Sequence, residues 1–199
     1  MTSIAPNILV VHPSLPVKSV KELIALAKAR PGELTYASGV LGGNSMLGVE
    51  LLKSMSGINM LIVPYNRSGQ QVLAVLAGES QLTIGNWGLI APHTKSARLR
   101  ALAVTSLDAS ALAPGIPTMA ESGLPGYEST GVTAIWAIAK TPEAILNRLN
   151  QEIVRYLNRA DVKEKFLGAE MEVVASSPDQ LAARIRSDLV KWGKVFKDA

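Results

Sequence analysis

The sequence contains no cysteine among its 199 residues. This absence excludes disulfides, iron–sulfur clusters, thiolate zinc sites and a thiol nucleophile. There are only two histidines, His12 and His93, so a histidine-rich metal site is excluded as well. Neither histidine has a serine or aspartate partner at a spacing typical of catalytic sites. We therefore expect no catalytic residue, no metal and no cofactor, and we expect a protein that is not an enzyme.

Aromatic residues are scarce, at 5%, and no block of like charge is present. Residues 1–140 carry 10 Lys+Arg and 7 Asp+Glu, and residues 141–199 carry 10 and 9. No basic stripe with interleaved aromatics is found, so nucleic acid is not an expected partner. No apolar run approaches the roughly 20 residues that span a bilayer. Residues 1–11 lack the features of an export signal, so the chain as given is expected to stay in the cytoplasm.

Apolar runs alternate with segments of helical periodicity from residue 7 to residue 104. The runs lack polar alternation, which is typical of strands buried on both faces in a parallel sheet. This pattern predicts an α/β fold. The predicted strands are 7–12, 34–37, 60–64, 81–84 and 100–104.

The C-terminal third is rich in charge, which predicts solvated helices there.

Several helix starts can be predicted along the chain. Ser19 with Glu22 and Ser177 with Gln180 have the spacing of capping boxes. Thr141 is predicted to cap another helix, with Pro142 at its first position. The last helix should present one apolar face, formed by Leu181, Ile185, Leu189, Trp192 and Phe196.

A glycine-rich turn follows the second predicted strand and leads into a helix. Glycines let backbone N–H groups converge, and the helix N-terminus adds partial positive charge, so the turn is typical of an anion site. An ordinary tight turn between a strand and a helix explains the same residues. Tyr65 and Asn86 follow two further strands and would share the same sheet edge. The candidate ligand-binding residues are Ser38, Gly39, Gly42, Gly43, Asn44, Ser45, Tyr65 and Asn86.

Five segments resemble the substrate-binding proteins of tripartite tricarboxylate transporters, also called Bug-type receptors. The most specific segment is 117–128, PTMAESGLPGYE. The others are 6–19, 34–38, 63–65 and 99–106. The resemblance extends in order from about Pro6 to Ala199.

The resemblance implies a periplasmic-binding-protein-like sheet domain, the second domain of a two-domain receptor, followed by C-terminal helices. Residues 1–118 would form the α/β ligand-binding domain, and residues 119–199 a crossover and helices that belong to the first domain. It further implies a periplasmic receptor that binds a small dicarboxylate, tricarboxylate or amino acid and delivers it to membrane permease subunits. Its glycine-rich loop matches 38–45, and its other cleft turns match 63–65 and 85–87.

This chain departs from the family pattern in ways that generate expectations. Val40 and Arg67 stand where the family usually has glycine. Val40 is therefore expected to strain the backbone where a positive φ is wanted, so that Val40→Gly tightens anion binding and Gly42→Val weakens it. The segment equivalent to the first third of a receptor is absent, so the C-terminal helices are expected to form a homodimer, with 107–127 as a hinge. The helices could instead cover their own faces within one chain.

Three functional hypotheses follow from these residues. The first is a truncated carboxylate receptor. The second is a non-binding dimerisation or interaction module. The third, an enzyme on the same scaffold, has the least support because no nucleophile, base or metal set is visible.

Overall fold

The computed structural model describes residues 1–198, in which short strands alternate with helices. In chain order the elements are β1 Ser3–Ala5, β2 Asn7–Val11, α1 Val20–Ala29, β3 Thr35–Ser38, α2 Asn44–Ser56, β4 Leu61–Pro64, α3 Ser68–Leu76, β5 Leu82–Asn86, α4 Trp87–Lys95, β6 Arg100–Val104, β7 Gly131–Thr133, α5 Glu143–Leu157, α6 Ala160–Gly168, β8 Glu172–Val173 and α7 Pro178–Asp198.

The described chain forms two compact units. Unit 1 consists of Met1–Ala5 and Gly131–Asp198, and unit 2 of Pro6–Thr130. The boundary between these units falls after Thr130, and the predicted domain boundary after residue 118 stays a prediction. The assignment of 119–199 to the first domain of a receptor stays a prediction.

Unit 2 is built on a five-stranded sheet in the order β4-β3-β5-β2-β6. The α/β class is confirmed, and β3 is parallel to both β4 and β5. However, β2 is antiparallel to β5 and β6, so the sheet is mixed. The apolar run of β2 predicts that it is buried on both faces, but hydrophobicity does not encode the direction of a strand.

The core of unit 2 lies around β2, an interior strand of the sheet, all five of whose residues are buried. Ile8 and Val10 of β2 belong to a buried cluster with Ala37 of β3, Val75 of α3 and Ile90 of α4. By contrast, β4 is an edge strand, and Leu61 on it is 53% exposed. This core fixes the strand ends that carry the candidate site.

Helix α2 is anchored to the sheet at two places. Gly48 approaches β5 so closely that a Cβ there would lie 2.9 Å from Ile84 Cδ1, and the Tyr127 hydroxyl donates to the Gly48 carbonyl at 2.7 Å. Further along, the Tyr36 hydroxyl donates to Glu50 Oε1 at 2.5 Å, and Lys53 pairs with the same carboxylate at 2.9 Å. Burial and the contact with Glu50 raise the pKa of Tyr36.

Unit 1 contains a three-stranded antiparallel sheet in the order β7-β1-β8. Its strands have three, three and two residues, and α5, α6 and α7 complete the unit. Within the described chain, no helix has the length and apolarity needed to cross a membrane.

The predicted caps at Ser19 and Ser177 are confirmed, and the cap predicted at Thr141 is wrong. Only Ser177 and Gln180 bond reciprocally, because the Glu22 carboxylate accepts from the Lys18 N–H and not from the Ser19 N–H. Ser19 Oγ accepts from the Glu22 N–H at 3.2 Å, and Ser177 Oγ accepts from the Gln180 N–H at 3.2 Å. The cap of α5 is Pro142 rather than Thr141, because the extended Pro142 is the residue whose carbonyl accepts the first helical bonds. The Thr141 hydroxyl donates backwards to the Ile138 carbonyl.

Gly48→Ala is expected to destabilise the protein, although alanine favours helices. The added Cβ meets Ile84 and the Tyr127 hydroxyl, and overpacking of this kind costs about 1–3 kcal/mol. Gly69→Ala in α3 is the matched control, because no atom lies within 4 Å of its Cβ position. It should leave stability unchanged or raise it by up to about 1 kcal/mol. Urea denaturation measures both, and equal stability of the two variants would contradict the packing.

Candidate functional site

The candidate residues of unit 2 gather at one edge of its sheet. Because β3, β4 and β5 are parallel, their last residues, Ser38, Pro64 and Asn86, end on the same side. Asn7 also lies there, since β2 runs the other way and Asn7 pairs with Asn86. The predicted meeting of the three strand ends is therefore present in unit 2.

The glycine-rich turn is a β-turn over Val40–Gly43. The Gly43 N–H donates to the Val40 carbonyl at 2.9 Å, and Gly42, at the third position, has a φ of 75°. A Cβ at Gly43 would lie 2.9 Å from the Val40 oxygen, so position 43 requires glycine. Val40 is not among the residues with positive φ. The expectation of a strained Val40 is therefore wrong, because the turn places its left-handed residue two positions later.

Helix α2 starts at this turn without a side-chain cap. Its N-cap is Gly43, whose carbonyl accepts the first helical bond from Leu47, and no side chain bonds to the first turn. The amides of Asn44, Ser45 and Met46 precede that first bond and are therefore free of intrahelical partners. Asn44 is exposed, with its side chain on the solvent side. The helix thus offers several N–H groups and the positive end of its dipole at the sheet edge.

The two serines of the turn hold the loop rather than face solvent. Ser38 is fully buried and Ser45 is 9% exposed. Ser45 Oγ accepts from the Gly39 N–H at 3.2 Å and lies 3.3 Å from Ser38 Oγ. Both serines therefore position the loop backbone, and their predicted role in ligand binding stays a prediction.

The Tyr65 hydroxyl, which was predicted to contact the ligand, bonds to another side chain. This hydroxyl donates to Glu79 Oε2 at 3.1 Å, and the Tyr65 backbone N–H donates to the Ser38 carbonyl at 2.7 Å. Burial and the hydrogen bond to the Glu79 carboxylate raise the pKa of Tyr65. A bound ligand would have to displace Glu79 to use this hydroxyl, so the predicted contact stays a prediction.

Three side-chain amides lie at this edge of the sheet. One is that of Asn86, and the other two, of Asn7 and Gln71, were not predicted from the sequence. Asn86 is exposed and makes no side-chain cap to α4. Asn7 Nδ2 and Gln71 Oε1 are buried without a hydrogen-bond partner. The Gln71 orientation is fixed, because its Nε2 donates to the Ile84 carbonyl at 3.2 Å. The only sequence signal that could have indicated Gln71 is its position as a polar residue on the buried side of α3.

The groups that this edge presents are hydrogen-bond donors and acceptors. Over residues 1–198, no group of three or more His, Asp or Glu side chains is placed to hold a metal ion. His12 follows the end of β2, at the opposite edge of the sheet from Asn7. What the site can do is accept an anion on backbone amides, with neutral side chains around it.

Gly42→Val should lower the free energy of unfolding by about 1–3 kcal/mol, because a β-branched residue is strained at positive φ. Val40→Gly is the matched change in the same turn. It relieves no strain and should leave stability unchanged or lower it by up to about 1 kcal/mol. Urea denaturation measures both, and stabilisation by Val40→Gly would contradict the turn geometry.

Comparison with known proteins was made over the whole sequence. A family model described as tripartite tricarboxylate transporter family receptor matches residues 1–199. Protein BugT of Bordetella pertussis is 34% identical over 198 residues, which is 100% of this chain and 61% of BugT. The chain thus spans about three fifths of the length of this curated relative.

Two solved structures show the same fold. The R. palustris protein Rpa4515, solved with adipate, is 33% identical with a TM-score of 0.78 over 98% of this chain and 66% of that protein. A TctC solute-binding protein from Polaromonas, solved without ligand, is 18% identical with a TM-score of 0.85 over 100% of this chain and 68% of that protein. The predicted resemblance is confirmed, and the chain belongs to the tripartite tricarboxylate transporter receptor family, a family of solute-binding proteins.

Proposed function

We propose that the chain binds a small carboxylate at the sheet edge of unit 2, on the first turn of α2. The observation that carries this proposal is the uncapped N-terminus of α2, which follows a turn locked by Gly42 and Gly43. The adipate bound to Rpa4515, a 33% identical family member, supports a carboxylate as the anion.

The energetics of this site favour weak binding by the isolated chain. A hydrogen bond to a charged oxygen contributes about 1.5–3 kcal/mol. The helix dipole adds about 0.3–1 kcal/mol at an exposed site. Two such bonds and the dipole sum to about 3–7 kcal/mol, a range that includes the roughly 4 kcal/mol of a millimolar complex, and the entropic cost of association reduces the sum. We therefore expect dissociation constants in the millimolar range.

Isothermal titration calorimetry with adipate, glutamate and citrate tests the proposal. At least one carboxylate should bind with millimolar affinity, whereas hexane-1,6-diol, which lacks the charges of adipate, should not bind. The absence of heat with every carboxylate would contradict carboxylate binding, and micromolar affinity would contradict a site with donors from unit 2 alone.

The location of the site is tested by two matched glycine variants. Gly42→Val should weaken carboxylate binding at least several-fold, because it distorts the turn before α2. Gly57→Val places the same strain at the other end of α2, where φ is 65° and no atom lies near the Cβ position. It should bind carboxylate like the parent protein. Equal loss in both variants would mean that general instability, not the turn, controls binding.

The family suggests the wider setting of this function. We propose that a receptor containing this sequence works in the periplasm and delivers its carboxylate to membrane permease subunits, as the family description supports. No catalytic step is part of the proposal. His12 Nδ1 accepts from the Ser14 N–H at 3.2 Å and lies 2.7 Å from Ser14 Oγ, and both contacts are exposed and close a local turn.

We also propose that the isolated chain forms a homodimer through its C-terminal helices. Support comes from what we call the unit 1 apolar face, formed by Trp136, Ile138, Leu149, Leu189 and Phe196. Their side chains are 51–86% exposed. Exposed apolar patches beyond a few hundred Å² usually mark interfaces. Leu181 of the predicted α7 face is buried at 8%, so only part of that face needs a partner.

Light scattering coupled to size exclusion tests this association at micromolar concentration. The parent chain should be dimeric, and Leu189→Ser with Phe196→Ser should shift it to a monomer, because two of the exposed apolar contacts are lost. Leu73→Ser is the control, since Leu73 is 62% exposed but lies in unit 2. A parent chain that is monomeric and binds no hydrophobic dye would contradict the homodimer.

A further inference from the structure

The turn before α2 carries apolar side chains at its tip. Val40 and Leu41, the first two residues of this turn, are 58% and 64% exposed. The segment 38–46, SGVLGGNSM, includes no charged residue. The backbone amides that we propose as the carboxylate site therefore lie beside exposed aliphatic side chains and beside no charge of their own segment.

Two contacts place apolar side chains directly at the start of α2. A Cβ at the N-cap Gly43 would lie 3.8 Å from Val40 Cβ, so the Val40 side chain lies next to the N-cap. The half-buried Met46 folds back from the first turn, and its Sδ accepts from the Gly42 N–H at 3.3 Å. A thioether is a weak acceptor, so Met46 contributes mainly apolar surface here. We call Val40, Leu41 and Met46 the apolar rim of the site.

A buried side-chain amide at the start of α2 indicates a ligand independently of the helix terminus. Asn7 is 4% exposed, and its Nδ2 has no hydrogen-bond partner. Two residues along β2, Leu9 pairs with Ile84, the residue of β5 on which α2 packs. Because alternate residues of a strand share a face, Asn7 lies on this same side of the sheet. Its Nδ2 is thus a donor without an acceptor at the edge where α2 begins, and an anion supplies that acceptor.

We propose that this site selects carboxylates that have an unsubstituted aliphatic chain. The carboxylate lies on the first-turn amides of α2 and near Asn7 Nδ2, and the chain packs against the apolar rim. Hydroxyl or charged groups on the chain would lose hydration at the rim without gaining a hydrogen bond. This inference rests on the proposed carboxylate function and adds to it the chemical class of the ligand.

The expected size of the effect follows from the hydrophobic transfer of methylene groups. A methylene group that is fully removed from water tightens binding about fourfold. The apolar rim covers one side of the chain, so about twofold per methylene group is expected. Octanoate has four methylene groups more than butanoate and should therefore bind about sixteenfold more tightly.

Titrations of the 199-residue chain with butanoate, hexanoate and octanoate, monitored by NMR through the backbone amide resonances, test the inference. Monocarboxylates are chosen because Arg67, exposed on the turn after the neighbouring strand β4, would add a charge contact to a dicarboxylate. All three acids should shift the amides of residues 39–46, with affinity rising along the series. Hexan-1-ol, the neutral counterpart of hexanoate, should leave these amides unchanged.

Substitutions in the apolar rim separate contact with the chain from contact with the carboxylate. The double variant Val40→Thr with Leu41→Ser removes apolar contacts and keeps the turn, because neither residue has a positive φ. Its ratio of octanoate to butanoate affinity should fall to about fourfold or less. Leu61→Ser is the matched control and should keep the parent ratio. Leu61 is 53% exposed, but it lies at the start of β4, on the opposite edge of the sheet.

Four results would overturn the inference. Equal affinities along the acid series would mean that the chain makes no contact, while carboxylate binding itself would stand. Binding of none of the acids would overturn the proposed carboxylate function as well. Octanoate shifts confined to the unit 1 apolar face, with residues 39–46 unchanged, would place the aliphatic chain elsewhere. A double variant that keeps the parent ratio would show that residues other than the apolar rim hold the chain.

Discussion

The close approach of α2 to β5 at Gly48 determines where the candidate site lies. A Cβ at this position would lie 2.9 Å from Ile84 Cδ1 and 3.3 Å from the Tyr127 hydroxyl, so any larger residue forces these buried side chains to shift. The Tyr127 hydroxyl also bonds to the Gly48 carbonyl. With the helix fixed in this way, its N-terminus and the turn before it are fixed at the sheet edge. The amides of the first turn therefore have a defined direction before any ligand arrives.

Many elements of both units could be predicted from the sequence because their signals are local. The strand runs, the caps at Ser19 and Ser177 and the glycine turn before α2 depend on neighbouring residues. The direction of β2 could not be predicted, because an apolar run fixes burial and not orientation. The cap predicted at Thr141 was wrong although threonine is a favourable N-cap residue, because the N-cap of α5 is the next residue, Pro142.

The details of the site depend on distances that only the fold provides. The turn could be predicted, but its left-handed residue is Gly42 and not Val40. The hydroxyl of Tyr65 is engaged by Glu79, which is fourteen positions away in sequence. Asn7 and Gln71 meet the site through strand pairing and helix packing, so no local pattern revealed their unpartnered amide atoms. The sequence predicted the loop, and in the proposed site the donors are its backbone amides.

The central claim is that unit 2 binds a carboxylate on the first turn of α2. A titration of the isotope-labelled chain with adipate, monitored by NMR through the backbone amide resonances, tests this claim most directly. The account predicts saturable shifts concentrated at residues 39–46 and at Asn86, with hexane-1,6-diol producing none. Shifts confined to α5, α7 and the segment 135–141 of unit 1, with residues 39–46 unchanged, would contradict it.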